Sequence, residues 1–235
     1  MNFLSIVIPC YNEYESLSAL IKILSNLDNR INFLIIENGS TDGSEEYLRK
    51  KMKNLPTNIQ IYFKKENTGY GAGVLEGLEN CPESEYLGWI HGDLQFEYQK
   101  LNSVYSELKK IKYEQVKVFY KGIRTGRSQT EKIISHSMGL IASLILKKKF
   151  YEINAQPTIF SHNLVKEIKD APSDFSFDTY IYWLALNNDF KLIRKEFRFP
   201  PRLYGESKWN LNITSRLEFS TKLIQYFIKL RKNSI

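Results

Sequence analysis

The feature that most constrains this chain is an alternation in its first hundred residues. Four short strand-like runs (residues 4–9, 33–36, 58–64 and 86–90) are separated by segments of helical apolar spacing at 15–27, 44–52 and 71–78. The order β-α-β-α-β-α-β predicts an α/β fold with a mostly parallel central sheet flanked by helices. In such sheets ligands bind beyond the carboxyl ends of the strands. The segments there, 9–13, 37–42, 65–73 and 91–95, are polar, acidic or glycine-rich, as a nucleotide site requires.

The second half is less regular. A strand is expected at 117–121, a long helix at 131–149, helices at 163–169 and 179–187, and a short strand at 197–199 before Pro200 and Pro201. Residues 211–232 form an amphipathic helical pattern, with apolar Leu217, Phe219, Leu223, Ile224, Phe227, Ile228 and Leu230 and mostly basic charges.

Length and charge narrow the function. At 235 residues the chain has room for one domain with a modest appendage, and 43% hydrophobic residues suffice for a core. A net charge of +7 admits nucleic acid, an anionic membrane surface or phosphorylated small molecules. No helix-turn-helix, zinc-finger or RNA-recognition pattern is present, so nucleic acid is not expected as a partner. Cys10 and Cys81 have no metal-ligand spacing and read as buried thiols in a reducing compartment. The apolar start lacks the basic region of a secretory leader, and the longest apolar stretch, 133–146, is shorter than the roughly 20 residues of a spanning helix. A cytoplasmic location is expected.

Six short motifs follow one another in a recognisable order. They are Ser5-Ile6-Val7-Ile8-Pro9-Cys10-Tyr11-Asn12-Glu13, Glu37-Asn38-Gly39-Ser40-Thr41-Asp42-Gly43, Asn67-Thr68-Gly69-Tyr70-Gly71, Gly92-Asp93-Leu94-Gln95, Asn154-Ala155-Gln156-Pro157 and Arg202-Leu203-Tyr204-Gly205-Glu206-Ser207-Lys208. Together they resemble the family 2 nucleotide-sugar glycosyltransferases, nearest by motif to the polyprenyl-phosphate sugar transferases that include dolichyl-phosphate mannose synthase. The resemblance implies the GT-A fold, a divalent metal and inversion at the anomeric carbon. It also implies a glycosyltransferase domain over 1–210, with a nucleotide-binding half to residue 95 and an acceptor-binding half from 96, followed by the helix at 211–235. The donor would be a nucleotide-diphospho-sugar and the preferred acceptor a polyprenyl phosphate, with peripheral contact at the inner membrane face by the terminal helix; a homo-oligomer is admitted. A hydroxyl acceptor on a polysaccharide or lipid-linked glycan, and a non-catalytic nucleotide-sugar-binding protein, are the alternatives.

The residues fit that chemistry. A sugar leaving a diphosphate builds negative charge, which a metal ion and fixed cations stabilise. Asp93 and Gln95, two apart after a strand, offer hard oxygen donors suited to Mg²⁺ or Mn²⁺. The family's usual Asp-x-Asp reads His91-Gly92-Asp93 here, so an imidazole replaces the first acid, as a ligand, a hydrogen-bond donor or a partner for a backbone carbonyl. By resemblance Pro9, Tyr11 and Glu13 shape the base and ribose pocket, and Glu37-Asn38 stands where the family often has two acids. Asn67 and Gly71 open a helix whose bare amides can approach a phosphate or, equally, pack closely on the sheet. Arg124 and Arg127, in the loop after the 117–121 strand, and Arg202 and Lys208 are candidate phosphate clamps. Asp178 is a candidate general base if the acceptor is a hydroxyl. A phosphate acceptor is already anionic and needs none.

Overall fold

The computed structural model describes residues 1–112, 116–204 and 213–232, with side chains from 218 onward in the last segment. The strands are β1 (Asn2–Cys10), β2 (Ile31–Asn38), β3 (Ile59–Lys64), β4 (Ser84–Trp89), β5 (Val118–Thr125), β6 (Thr158–Ser161) and β7 (Lys191–Arg198). The helices are α1 (Tyr14–Ser25), α2 (Ser44–Lys51), α3 (Tyr70–Asn80), α4 (Leu101–Lys112), α5 (Gln129–Leu146), α6 (Ser176–Asn187) and α7 (Ile213–Lys232). One sheet holds all seven strands in the order β3-β2-β1-β4-β6-β5-β7. Only β6 runs against the others, pairing antiparallel with β4 and β5. The carboxyl ends of the other six therefore share one edge, and the sheet is mostly parallel as its pattern predicts.

Helices cover both faces because the strands bury both. In β1, Leu4, Ile6 and Ile8 face one layer with Leu17, Leu20 and Leu24 of α1 and Leu101, Val104 and Leu108 of α4. Val7 points to the other, with Val74 and Leu78 of α3, Ile181 of α6 and Leu223, Phe227 and Leu230 of α7. Alternate residues of a strand point to opposite faces, so a run buried on both sides is apolar nearly throughout, and the buried Ser5 hydroxyl of β1 is paired with that of Ser84 (2.7 Å).

The second half departs from expectation in several places. The helix expected at 163–169 is a short 3-10 turn, His162–Glu167, in which Leu164 is the buried side chain. The strand expected at 197–199 begins six residues earlier and runs Lys191–Arg198 as the sheet's edge, paired throughout with β5. Its interruption by charged residues follows from its edge position, where exposed positions tolerate lysine and glutamate. The helix expected at 131–149 spans Gln129–Leu146, set by a capping box between Ser128 and Glu131 and ended at Lys147 with φ +54°. Arg124 lies inside β5 rather than in the loop after it. Cys10 is buried, but Cys81 is only half-buried.

Candidate active site

Loops after β1 and β2 are locked together before any ligand arrives. The Asn12 N–H donates to Ser40 Oγ (3.0 Å), Asn12 Oδ1 accepts from the Thr41 N–H (2.9 Å), and the Tyr14 N–H donates to Asp42 Oδ2 (2.9 Å). Glu37, fully buried, accepts from the backbone N–H groups of Gly39 (3.2 Å) and Ser40 (2.7 Å). Its carboxylate is therefore a staple of the β2 loop. Asn38 donates from Nδ2 to the Gly69 carbonyl (3.2 Å) and so ties that loop to the next. Asn67 Oδ1 accepts from the Gly69 N–H at 2.8 Å. Pro9 pairs with Ile36 in the sheet, and Tyr11 is half-buried in the loop beyond.

The glycines of α3 serve packing. A side chain at Gly71 would come within 2.3 Å of the Pro172 carbonyl oxygen, and the Ala72 N–H already donates to the Ser173 carbonyl (3.1 Å). The segment at 172–174 thus sits over the start of this helix. Gly92 likewise lets the end of β4 close over Cys10, whose Sγ a side chain there would meet at 2.7 Å.

Three charged groups converge at the carboxyl ends of β1 and β4. The Arg202 guanidinium donates to Glu13 Oε1 (2.5 Å) and to the Tyr204 carbonyl (2.8 Å). Burial raises the Glu13 carboxyl above its usual range; Arg202 opposes that shift and the Asp93 charge adds to it. Burial also pushes the Cys10 thiol well up, reinforced by Glu13, Glu37 and Asp93, so this corner concentrates negative charge. Asp93 Oδ1 accepts the Gln95 N–H (3.1 Å) across Leu94, which adopts φ +60°. Gln95 Nε2 donates to the Pro200 carbonyl (3.2 Å), fastening the Arg202 loop to the β4 end.

His91 occupies the gap between this corner and the opposite layer. Its Nδ1 lies 4.0 Å from Asp93 Oδ2, its Nε2 shares a 3.0 Å hydrogen bond with the Tyr70 hydroxyl, and its carbonyl accepts from Tyr98 Oη at 2.6 Å. Tyr70 stacks on Phe175, ring centroids 4.6 Å apart. Burial, then the Asp178 charge, hold the Tyr70 phenol well above its ordinary range. Asp178 itself is buried in the first turn of α6, 3.4 Å from the equally buried Lys121 ammonium, which also donates to Thr158 Oγ1 (2.6 Å).

Arg124 and Arg127 stand in a separate cluster. Arg124 Nε donates to Glu152 Oε2 (2.8 Å), and Arg127 pairs with the other oxygen of the same carboxylate. Ser135 of α5 completes it, donating to Glu152 Oε1 at 2.9 Å. Burial works against the Glu152 charge, yet the two guanidinium groups hold its carboxyl below the usual range. Lys208 lies outside the described residues. Glu152, Lys121 and Tyr70 are site neighbours that sequence reasoning missed. Glu152 follows three lysines without a motif, whereas Tyr70 stands inside one of the quoted motifs and was legible there.

Among the described residues, no three His, Cys, Asp or Glu side chains cluster as a self-sufficient metal site. The oxygen donors at this corner that a divalent ion could take are the Asp93 carboxylate and the side-chain oxygen of Gln95, whose amide nitrogen is engaged with the Pro200 carbonyl.

A three-layer α/β fold with this acidic corner defines the class. The model of glycosyl transferase family 2 matches residues 5–166, and the chain belongs to that family. It is 29% identical over 99 residues to the undecaprenyl-phosphate 4-deoxy-4-formamido-L-arabinose transferase of Pseudomonas syringae, covering 40% of this chain and 29% of that protein. It is 21% identical over 233 residues to the dodecaprenyl-phosphate galacturonate synthase of Rhizobium johnstonii, covering 97% of this chain and 68% of the relative. In structure it resembles glucosyl-3-phosphoglycerate synthase from Mycobacterium tuberculosis, solved with Mn²⁺, UDP and glucosyl-3-phosphoglycerate, at TM-score 0.67 and 14% identity, covering 98% of this chain and 80% of that one. The GT-A fold and the likeness to polyprenyl-phosphate sugar transferases, expected from the motifs, are thereby established.

Proposed function

We propose that this chain transfers a sugar, with inversion, from a nucleotide-diphospho-sugar to a polyprenyl phosphate at the cytoplasmic face of a membrane. The observation that carries the reading is the convergence of Glu13, Asp93 and Arg202 at the carboxyl edge of β1 and β4. Two acids against one cation make a corner that attracts a divalent ion, and the ion in turn attracts a diphosphate. A bound Mg²⁺ or Mn²⁺ would supply charge neutralisation for the leaving nucleotide, held by Asp93 and Gln95.

The chain's own residues do the rest. Glu13 holds the Arg202 guanidinium at the β4 end, where it is positioned to meet developing phosphate charge. The stapled loops at 11–14 and 37–42 fix the nucleoside side of the pocket, so little ordering is left to be done on binding. Burial of Asp178 against Lys121 favours a phosphate acceptor over a hydroxyl one, because a general base must reach the proton it removes. A phosphate oxygen attacks the anomeric carbon as the bond to the nucleotide diphosphate breaks, and no proton need be taken.

The likeness to relatives named for undecaprenyl- and dodecaprenyl-phosphate supports the acceptor class. The chain spans less than a third of the first of these relatives. Incubation with UDP- or GDP-sugars, Mn²⁺ and undecaprenyl phosphate tests the reading by the label recovered in the organic phase. Transfer that Asp93→Ala abolishes is the expected result. Transfer to glycan hydroxyls alone would replace it with the hydroxyl-acceptor reading.

A further inference from the structure

The apolar stretch at 133–146 has no place in the chemistry above, and α5, which carries it, is only partly used by the core. Ala142 and Leu146 face inward, while Ile133, Leu140 and Leu144 are 64%, 53% and 79% exposed. Spacings of seven and four residues put these three on one face of the helix. The basic C-terminal helix, expected from sequence to carry the membrane contact, turns much of its apolar side inward: Leu223, Phe227 and Leu230 of α7 are buried in the core, and among its described side chains Ile228 is the exposed large apolar one.

We infer that the outer face of α5 is a docking surface for an anionic lipid bilayer. Charge decides the occupant. Lys132 flanks the stripe and Lys147, Lys148 and Lys149 close it, all exposed, and the acid of this helix, Glu131, is engaged in the capping box with Ser128. An apolar stripe rimmed by lysines matches a surface of acyl chains beneath anionic headgroups. A second protein copy would have to bury four lysines against a chain of the same positive sign.

The helix is linked by side-chain contacts to the carboxyl edge of the sheet and, through α7, to the candidate site. It begins four residues beyond the end of β5 and is tied to that edge by Ser135, which contacts both Arg127 and Glu152. It packs along α7, whose Phe219 meets Phe175, and Phe175 stacks on Tyr70 beside His91. Aromatic contacts thus run from the helix packed beside α5 to Tyr70 and His91. The inference rests on the lipid-acceptor reading but is tested apart from it.

Co-sedimentation with phosphatidylglycerol-containing vesicles, against phosphatidylcholine alone, measures the docking. The expected result is binding to the anionic vesicles that falls with salt. Ile133→Ser/Leu140→Ser/Leu144→Ser and Lys147→Gln/Lys148→Gln/Lys149→Gln should each weaken it roughly tenfold or more, while Ile228→Ser has little effect. These positions are exposed, so melting temperature should hold and serves as the folding control. Wild-type binding by either triple variant would overturn the inference, as would no binding by the wild type. So would a dimer in light scattering that the serine triple variant dissociates, since a second copy would then cover this face. Transfer to a water-soluble short-chain polyprenyl phosphate should be unchanged in both triple variants. Loss of docking with transfer intact separates failure of this inference from failure of the proposed activity.

Discussion

Two carboxylate–arginine clusters lie on the same edge of the sheet, and they are built in opposite senses. At Glu152 one acid serves two arginines, all nearly buried, with side-chain exposures of 4%, 13% and 5% for Glu152, Arg124 and Arg127. At Glu13 one acid pairs with one arginine while a second acid, Asp93, adds its charge from nearby, and the pair is more open, at 15% for Glu13 and 21% for Arg202. The environments move the two carboxyl groups in opposite directions, Glu152 down and Glu13 up. A closed cluster whose charge is held by its own members is a fastening. An open one, where burial and the Asp93 charge work against ionisation of Glu13, is the corner that the proposed metal–diphosphate site would use.

The largest effect should come from breaking the fastening. Glu152→Ala leaves two buried guanidinium groups without their shared carboxylate, a loss of about 3–5 kcal/mol. For a chain of this size that is a fall of roughly 6–20 °C in melting temperature. A fall of only a degree or two would mean that water already solvates the cluster. The buried Lys121–Asp178 pair behaves as a second fastening. Burial pushes the Lys121 ammonium down to about 8 even with Asp178 beside it. Asp178→Asn should therefore cost a similar amount, and adding Lys121→Met should recover part of it; a further drop in the double variant would contradict the pairing.

The opposed shifts separate the clusters by pH. Glu152 has a folded pKa below its unfolded value near 4.5, so its stabilisation is present above that pH and is lost as pH falls through the folded value. The gap in melting temperature between wild type and Glu152→Gln should narrow on going from pH 7 to pH 3.5. Glu13, raised, carries a penalty at neutral pH that disappears as pH falls through its folded value toward 4.5. Glu13→Gln should thus be relatively more stable at pH 7 than at pH 4. Parallel curves for the two variants would erase the distinction. In absolute size the Glu13→Gln change should be the smallest, within about 1 kcal/mol, because Arg202 is partly solvated.

The first half of the fold was legible because its parallel strands are buried on both faces and end in short polar motifs. Residues 4–9 and 33–36 have no competing reading as exposed helix. The second half hides its strands. β6 has four residues and no turn signal, and β7 is a charged edge strand whose sequence, Lys191-Leu192-Ile193-Arg194-Lys195-Glu196-Phe197-Arg198, reads as loop until pairing with β5 is known. Similar limits apply to the site. Glu13, Asp93 and Arg202 stand in motifs, and the structure brings them together. Arg124 and Arg127 also looked like phosphate ligands, but their partner, Glu152, is a solitary acid that only tertiary folding brings to them. Gly71 admits a phosphate-binding reading and a packing one, and the close approach of the Pro172 carbonyl, which no sequence motif signals, supplies the packing reason for a glycine there.

Nucleotide binding to the acidic corner is the most direct test. Thermal shifts of the wild type and Asp93→Asn would be recorded with UDP and with GDP, each with and without Mn²⁺. A ligand at a hundred times its Kd stabilises by about 2.7 kcal/mol. The expected result is a Mn²⁺-dependent shift of the wild type with one of the two nucleotides, absent in an Asp93→Asn protein that otherwise melts normally. A shift that survives in Asp93→Asn, or no shift with either nucleotide, would contradict the assignment of this corner as the metal–diphosphate site.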